Sequence, residues 1–243
     1  MFFPKYEFSD EAMTTEYGIT LHRIRALKAI RLENREVRLG ELGGWLESEA
    51  NLSHFGRCWV EKNAAVFGSA YVFEDAVVSG RVLVYEQADI YGNASVLGDC
   101  HVHGYAKVYG NAKVYDDADI SGKSRVYGHA RVYGSDKVSG GSRIYGSAHI
   151  NGRSKISGLP EVFGRSRIRG KSQILGRPII YGNAEICGTS QISGCVIIAG
   201  DFRVCNEKVD WIKHYVKGNR TRILCGRFSK DWDLFAQRSF NTC

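Results

Sequence analysis

Proline is almost missing from this chain: 3 residues in 243, while glycine reaches 28. Disordered glycine-rich chains carry abundant proline as well, so glycine without proline points to regular turns and away from a flexible linker. No stretch approaches the roughly 18 consecutive apolar residues of a membrane helix, so no membrane association is expected. The opening "MFFPKYEFSDEA" lacks the basic segment and apolar run of a secretory leader. The seven cysteines include no Cys-x-x-Cys pair, which reads as ordinary reduced thiols in a cytoplasmic protein. No phosphate loop, nucleophile motif or paired-carboxylate site stands out, and no cofactor or metal is implied. Disorder is excluded by 44% hydrophobic residues. Acidic residues are fewer than basic ones, 26 against 33, for a formal net charge of +7. That balance favours acidic partners or nucleic acid and carries no information on fold.

What the chain has is a repeat. Residues 108–146 read "VYGNAKVYDDADISGKSRVYGHARVYGSDKVSGGSRIYG". From Val60 to Val204, 25 successive positions spaced by six are all Val or Ile, with no insertion or deletion. Two residues later the chain has Gly in 20 of the 25 copies; the exceptions are Lys62, Glu74, Glu86, Asp116 and Asn206. Four residues later it is usually Ala or Ser, as at Ala94, Ala112, Ser124, Ala130 and Ser154. Six residues are too few for a helical repeat and fit a short strand plus a tight turn. The β-branched residue packs inward, the small residue two places before the next one also points inward, and Gly takes a corner that needs positive φ. One unit cannot bury its own side chain. Three units closing an 18-residue triangular coil can, and such coils stack at about 4.8 Å. The 25 units then give about eight coils.

Residues 18 apart must lie in columns. One column reads Phe55, Phe73, Tyr91, Tyr109, Tyr127, Tyr145, Phe163, Tyr181; a second runs Ser121, Ser139, Ser157, Leu175, Ser193; a third is mixed. The faces differ, so the 18-residue period is real. Cys187 and Cys205 become neighbours, a spacing that permits a disulfide, although reduced thiols are the expected state. The aromatic column has two readings: mutual stacking that stabilises the coils, or a recognition surface. Lys107, Arg125 and Arg143 stand two residues before Tyr109, Tyr127 and Tyr145, so cations and aromatics form adjacent columns able to stack bases or hold phosphates. Charge also changes along the chain. Acids gather early, as at Glu74, Glu86, Asp99 and Asp116, whereas Arg131, Arg165, Arg167 and Arg169 belong to a later basic stretch. This is either a solvated surface that keeps the stacked strands soluble or a binding surface for an anionic macromolecule.

The ends read as caps. Residues 1–52 form short alternating strands, 53–205 the coils, and 206–243 a second cap in which "RTRILCGRF" is a strand and "SKDWDLFAQRSF" a short helix. The coils resemble the hexapeptide-repeat left-handed parallel β-helix, with Gly one residue later than that family's usual pattern. The first junction, through Gly43, Gly44, Trp45, Asn51, Leu52, Ser53, Gly56, Cys58 and Trp59, is similar to bacterial and prophage proteins of the YdcK type. The resemblance implies an all-β fold, the left hand, and a phage or prophage origin in a bacterial cytoplasm. Many proteins of this fold are acyltransferases using an acyl-CoA donor, with a catalytic His and a protruding loop. Here the phase is unbroken and no loop is inserted. Of His101, His103, His129 and His149, only His103 sits at a corner suited to a base, and no partner for it is evident. The three-His zinc site known in this fold finds no counterpart, since no His lies 18 from another.

The sequence therefore predicts a non-enzymatic rigid scaffold. Its expected partner is a host protein or protein complex, for instance a bacterial defence complex that it would inhibit. The candidate binding residues are Lys107, Tyr109, Arg125, Tyr127, Arg131, Arg143, Tyr145, Arg165, Arg167 and Arg169. An acyltransferase and a nucleic-acid-binding protein are the alternatives. A homo-oligomer, dimer or trimer, is also compatible, and outward Ile179 and Ile197 would either join copies or be covered by the C-terminal segment.

Overall fold

The computed structural model describes residues 3–209 and the backbone of 223–225. Apart from one 3-10 turn at Glu49–Asn51, its regular elements are all strands, and they wind into a parallel β-helix of about nine turns. Three sheets run the length of the prism. Face I contains Ala65–Val66, Leu83–Val84, His101–Val102, Asp119–Ile120 and their successors; face II contains Tyr71–Val72, Asp89–Ile90, Lys107–Val108, Arg125–Val126 and Arg143–Ile144; face III contains Val77–Gly80, Ser95–Gly98, Lys113–Val114, Arg131–Gly134, His149–Gly152 and Arg167–Gly170. Each strand pairs in parallel with the one 18 residues away, as Lys107 does with Arg125 and Arg125 with Arg143. Backbone hydrogen bonds join successive coils: Tyr109 N–H donates to Val126 O at 3.0 Å, and Tyr127 N–H to Ile144 O at 2.9 Å.

The interior is the repeat made solid. Every Val or Ile of the series from Val60 to Val204 is fully buried, and so are the small residues four places on, Ala94, Ala112, Ser124, Ala130 and Ser154 among them. Buried hydroxyls are largely satisfied by their own corner: Ser142 Oγ donates to Ser139 O at 2.6 Å and Ser190 Oγ to Cys187 O at 2.7 Å. The corners take positive φ even where Gly is missing. Glu74, Glu86, Asp116 and Asn206 have φ of 58° to 62°. Left-handed backbone at a non-Gly residue costs roughly 1–2 kcal/mol, and three of the four offset it by capping a neighbouring corner. Gly92 N–H donates to Glu74 Oε2 at 2.8 Å, Gly134 N–H to Asp116 Oδ2 at 3.0 Å, and Thr189 N–H to Asn206 Oδ1 at 3.0 Å.

The N-terminal strands β1 (Tyr6–Thr14), β2 (Thr20–Ala26), β3 (Ile30–Arg31), β4 (Glu36–Val37) and β5 (Leu42–Leu46) close the first open end. β1, β2 and β5 are antiparallel neighbours, and β5 then pairs in parallel with Ala65–Val66, so cap and face I are one sheet. The junction motif welds them. A Cβ on Gly44 would fall 2.5 Å from Ala64 O, and one on Gly43 would fall 2.6 Å from the Trp59 ring. Asn51 Nδ2 donates to Gly68 O and Ala70 O, while buried Lys5 donates to Cys58 O at 2.7 Å and Cys58 Sγ at 2.9 Å. At the other end, the strand Ile223–Cys225 pairs antiparallel with Val196–Ile198 and closes the edge of face II beyond Ile197. The helix expected over "SKDWDLFAQRSF" lies outside the described residues.

Candidate interaction surfaces

Face II carries the aromatic column. From Phe73 through Tyr91, Tyr109, Tyr127, Tyr145 and Phe163 to Tyr181, consecutive ring centroids are 4.7 to 5.2 Å apart and the rings lie within 8° of parallel. Each ring is offset-stacked on its neighbours. The coil spacing that sets this separation is fixed by backbone hydrogen bonds, so no base can enter between rings. The faces of the inner rings are therefore covered by one another. Phe55, the column's first member, is largely exposed.

The structure separates the candidate cations onto different faces. Lys107, Arg125 and Arg143 stand beside the ladder on face II. Lys107 is neutralised by Asp89 at 2.6 Å and Arg143 by Glu161 at 3.1 Å. Arg131, Arg167 and Arg169 belong to face III, with Arg165 at the corner leading into it. Arg169 pairs with Glu185. Arg125, Arg131, Arg165 and Arg167 form no ion pair among the described residues, and all four are exposed. Three of these unpaired arginines, Arg131, Arg165 and Arg167, gather at face III and its corner. In-register columns place Lys113, Arg131, His149 and Arg167 one above another. Burial and the flanking Arg131 and Arg167 hold the His149 imidazole below its ordinary pKa, so it adds no charge to the column at neutral pH. A shorter stack in the mixed third column, Tyr115 on Tyr133 at 4.7 Å, flanks Arg131.

No known family profile matches the chain, and no curated protein is similar to it.

His103 does have a partner. Its Nε2 lies 3.1 Å from Asp119 Oδ1 and its Nδ1 3.8 Å from Glu86. The ring stacks on Tyr85 at 4.8 Å, and Tyr85 on Phe67 at 5.3 Å. The 16-residue separation from Asp119 hid the pair from an argument based on 18-residue columns. One ring nitrogen faces Asp119 of the next coil and the other lies toward Glu86 of the preceding one, so the imidazole links adjacent coils.

Cys187 and Cys205 pair as a disulfide across adjacent coils, with Cα atoms 4.6 Å apart. In-register stacking on adjacent coils is what brings the two sulfurs together. Cys195 is exposed and free, whereas Cys58 and Cys100 are buried. One interior group was also missed. Asp136 occupies a position that other coils give to Ala or Ser, and it is fully buried. It accepts the Ser154 N–H at 2.5 Å, its second oxygen has no partner, and desolvation pushes its carboxyl up to about 7.

The last surface is a cleft of about 460 Å³ between the β3–β4 hairpin and the start of face III. Ile30 and Val37 bury the hairpin's inner face in the core. Arg35 clamps it, reaching Glu61 with two hydrogen bonds of 3.0 and 2.5 Å and Glu41 with one of 2.7 Å.

Proposed function

We propose that the protein is a non-enzymatic scaffold that binds an acidic host protein, of phage or prophage type, in a bacterial cytoplasm. The observation that carries this is the set of unpaired arginines at face III. Arg131, Arg165 and Arg167 form no ion pair among the described residues, whereas Lys107, Arg143 and Arg169 are each held by a carboxylate. Holding like charges in register costs energy, and an anionic partner relieves it. Protein is favoured over nucleic acid because the aromatic faces are already stacked on one another. What remains is arginine beside tyrosine edges, the composition typical of protein interfaces. Inhibition of a bacterial defence complex is the role such a binder would have in a prophage setting.

The test is affinity capture from bacterial lysate with wild type, Arg165→Glu/Arg167→Glu, and Arg125→Glu/Arg143→Glu. A stoichiometric partner lost selectively with the first double variant supports the reading. Capture that survives both variants, or binding of nucleic acid alone with a steep salt dependence, overturns it.

A further inference from the structure

We infer that the cleft beneath the β3–β4 hairpin is a binding site for a nucleoside phosphate. The inference goes beyond the scaffold reading and shares only Arg131 with it. The cleft has three walls of different origin. Its roof is the hairpin, through Arg31, Leu32 and Glu33. Its floor is one column of face III, in which Val77, Ser95, Lys113 and Arg131 rise coil by coil. Its side is the adjoining corner column, Asp75, Asn93, Asn111 and His129. At about 460 Å³ it falls within the roughly 300–1,000 Å³ of small-ligand sites.

Its chemistry is graded. The inner end offers apolar Val77 and Leu32, then Ser95, Asn93 and Asn111. Two side-chain amides supply donors and acceptors together, which suits the mixed edge of a nucleobase or the hydroxyls of a sugar. The later coils of the cleft carry Lys113 and Arg131 beside His129, and Arg31 adds a cation from the hairpin. Four cations, Arg31, Arg57, Lys113 and Arg131, meet two carboxylates, Glu33 and Asp75. Asp75 is taken by Arg57 at 2.6 Å, and Glu33 sits 3.8 Å from Lys113. Arg31 and Arg131 remain without an ion pair, one on the roof and one on the floor. Two guanidinium forks lining one cleft match a phosphate better than a single carboxylate, because phosphate presents several acceptor oxygens. The roof also decides the size of the ligand, since a nucleic-acid duplex cannot pass beneath a hairpin anchored through Ile30, Val37 and Arg35.

The cleft is preorganised. Arg35 fixes the base of the hairpin to Glu41 and Glu61, and Glu33 reaches to Lys113, 80 residues further along the chain. Ligand binding therefore requires little ordering of the roof.

Calorimetric titration of the full chain with the diphosphates of adenosine, guanosine, cytidine and uridine tests this, with adenosine and inorganic pyrophosphate as controls. At least one nucleoside diphosphate should bind with one site per chain and outbind both controls by roughly tenfold or more. Arg31→Glu should weaken binding at least about tenfold, and Asn111→Asp should weaken it while leaving the melting temperature unchanged. Arg165→Glu/Arg167→Glu, outside the cleft, should leave it intact, so a failure of the scaffold reading and a failure of this one give different results. Absence of binding by all four diphosphates at millimolar concentration would overturn the inference. So would pyrophosphate binding as tightly as the nucleotides, or affinity indifferent to Arg31→Glu and Asn111→Asp.

Discussion

Asp136 shows how one residue in a repetitive core sets a pH dependence. Its carboxyl is buried, half-partnered, and raised from its ordinary 3.8 to about 7. The folded chain therefore holds this proton more tightly than the unfolded chain does. Stability linked to this group is fully present below about pH 4, declines as pH rises, and is lost above about pH 7. That rise in the carboxyl's pKa corresponds to on the order of 4 kcal/mol. Asp136→Ser, the residue the next coil carries at Ser154, should leave thermal stability little changed at pH 4 and raise it clearly at pH 8. Melting curves with identical pH profiles for the two proteins would refute the assignment. The corners respond to backbone instead. Gly158 has φ of 94°, and a Cβ there would fall 2.4 Å from Gly176 O. Gly158→Ala should cost at least roughly 1–2 kcal/mol and lower the melting temperature by several degrees. Corner glycines were legible in the sequence because they recur. Asp136 was not, because a single acid in a small-residue column breaks no pattern of six.

At the scale of elements, legibility follows sequence distance. The coils, their columns and the facing of Cys187 and Cys205 could be read because every contact recurs at 18. Short strands could be expected in the N-terminal cap, but not the β3–β4 hairpin's position over face III. That position depends on Arg35 meeting Glu61 and Glu33 meeting Lys113, contacts with no period. His103 and Asp119 escaped for the same reason. Arg35→Ala should release the roof: its ion pairs are partly exposed and worth only about 1 kcal/mol, yet hydrogen exchange at residues 30–37 should accelerate while the coils stay protected. Unchanged exchange there would mean that Ile30 and Val37 alone hold the hairpin. The disulfide acts on the last coils. It closes a loop of 18 residues, for which the chain-entropy account gives about 3 kcal/mol. Reduction should therefore loosen residues around 187–205 first, which non-reducing peptide mapping and exchange before and after a thiol reductant would show.

The whole molecule divides its labour between what repeats and what varies. The interior and the aromatic ladder repeat, and both hold the prism together. The charges vary along the prism, whereas the aromatic column marks face II throughout. This division makes a prediction about two tyrosines that look alike. Tyr127 sits mid-ladder on face II with rings 4.8 and 4.9 Å away on either side; Tyr133 sits on face III beside Arg131 with one stacking neighbour at 4.7 Å. Stacked pairs are worth roughly 0.5–1.5 kcal/mol beyond area burial, so Tyr127→Ala loses two and should lower the melting temperature more than Tyr133→Ala, which loses one. Partner binding should rank the other way, since Tyr133 borders Arg131 of the unpaired face III set whereas Tyr127 lies on face II. Measuring melting temperature and captured partner on both variants separates stabilising aromatics from recognising ones. If Tyr127→Ala abolishes capture while the protein stays folded, the ladder itself is the contact surface and the assignment of binding to face III fails.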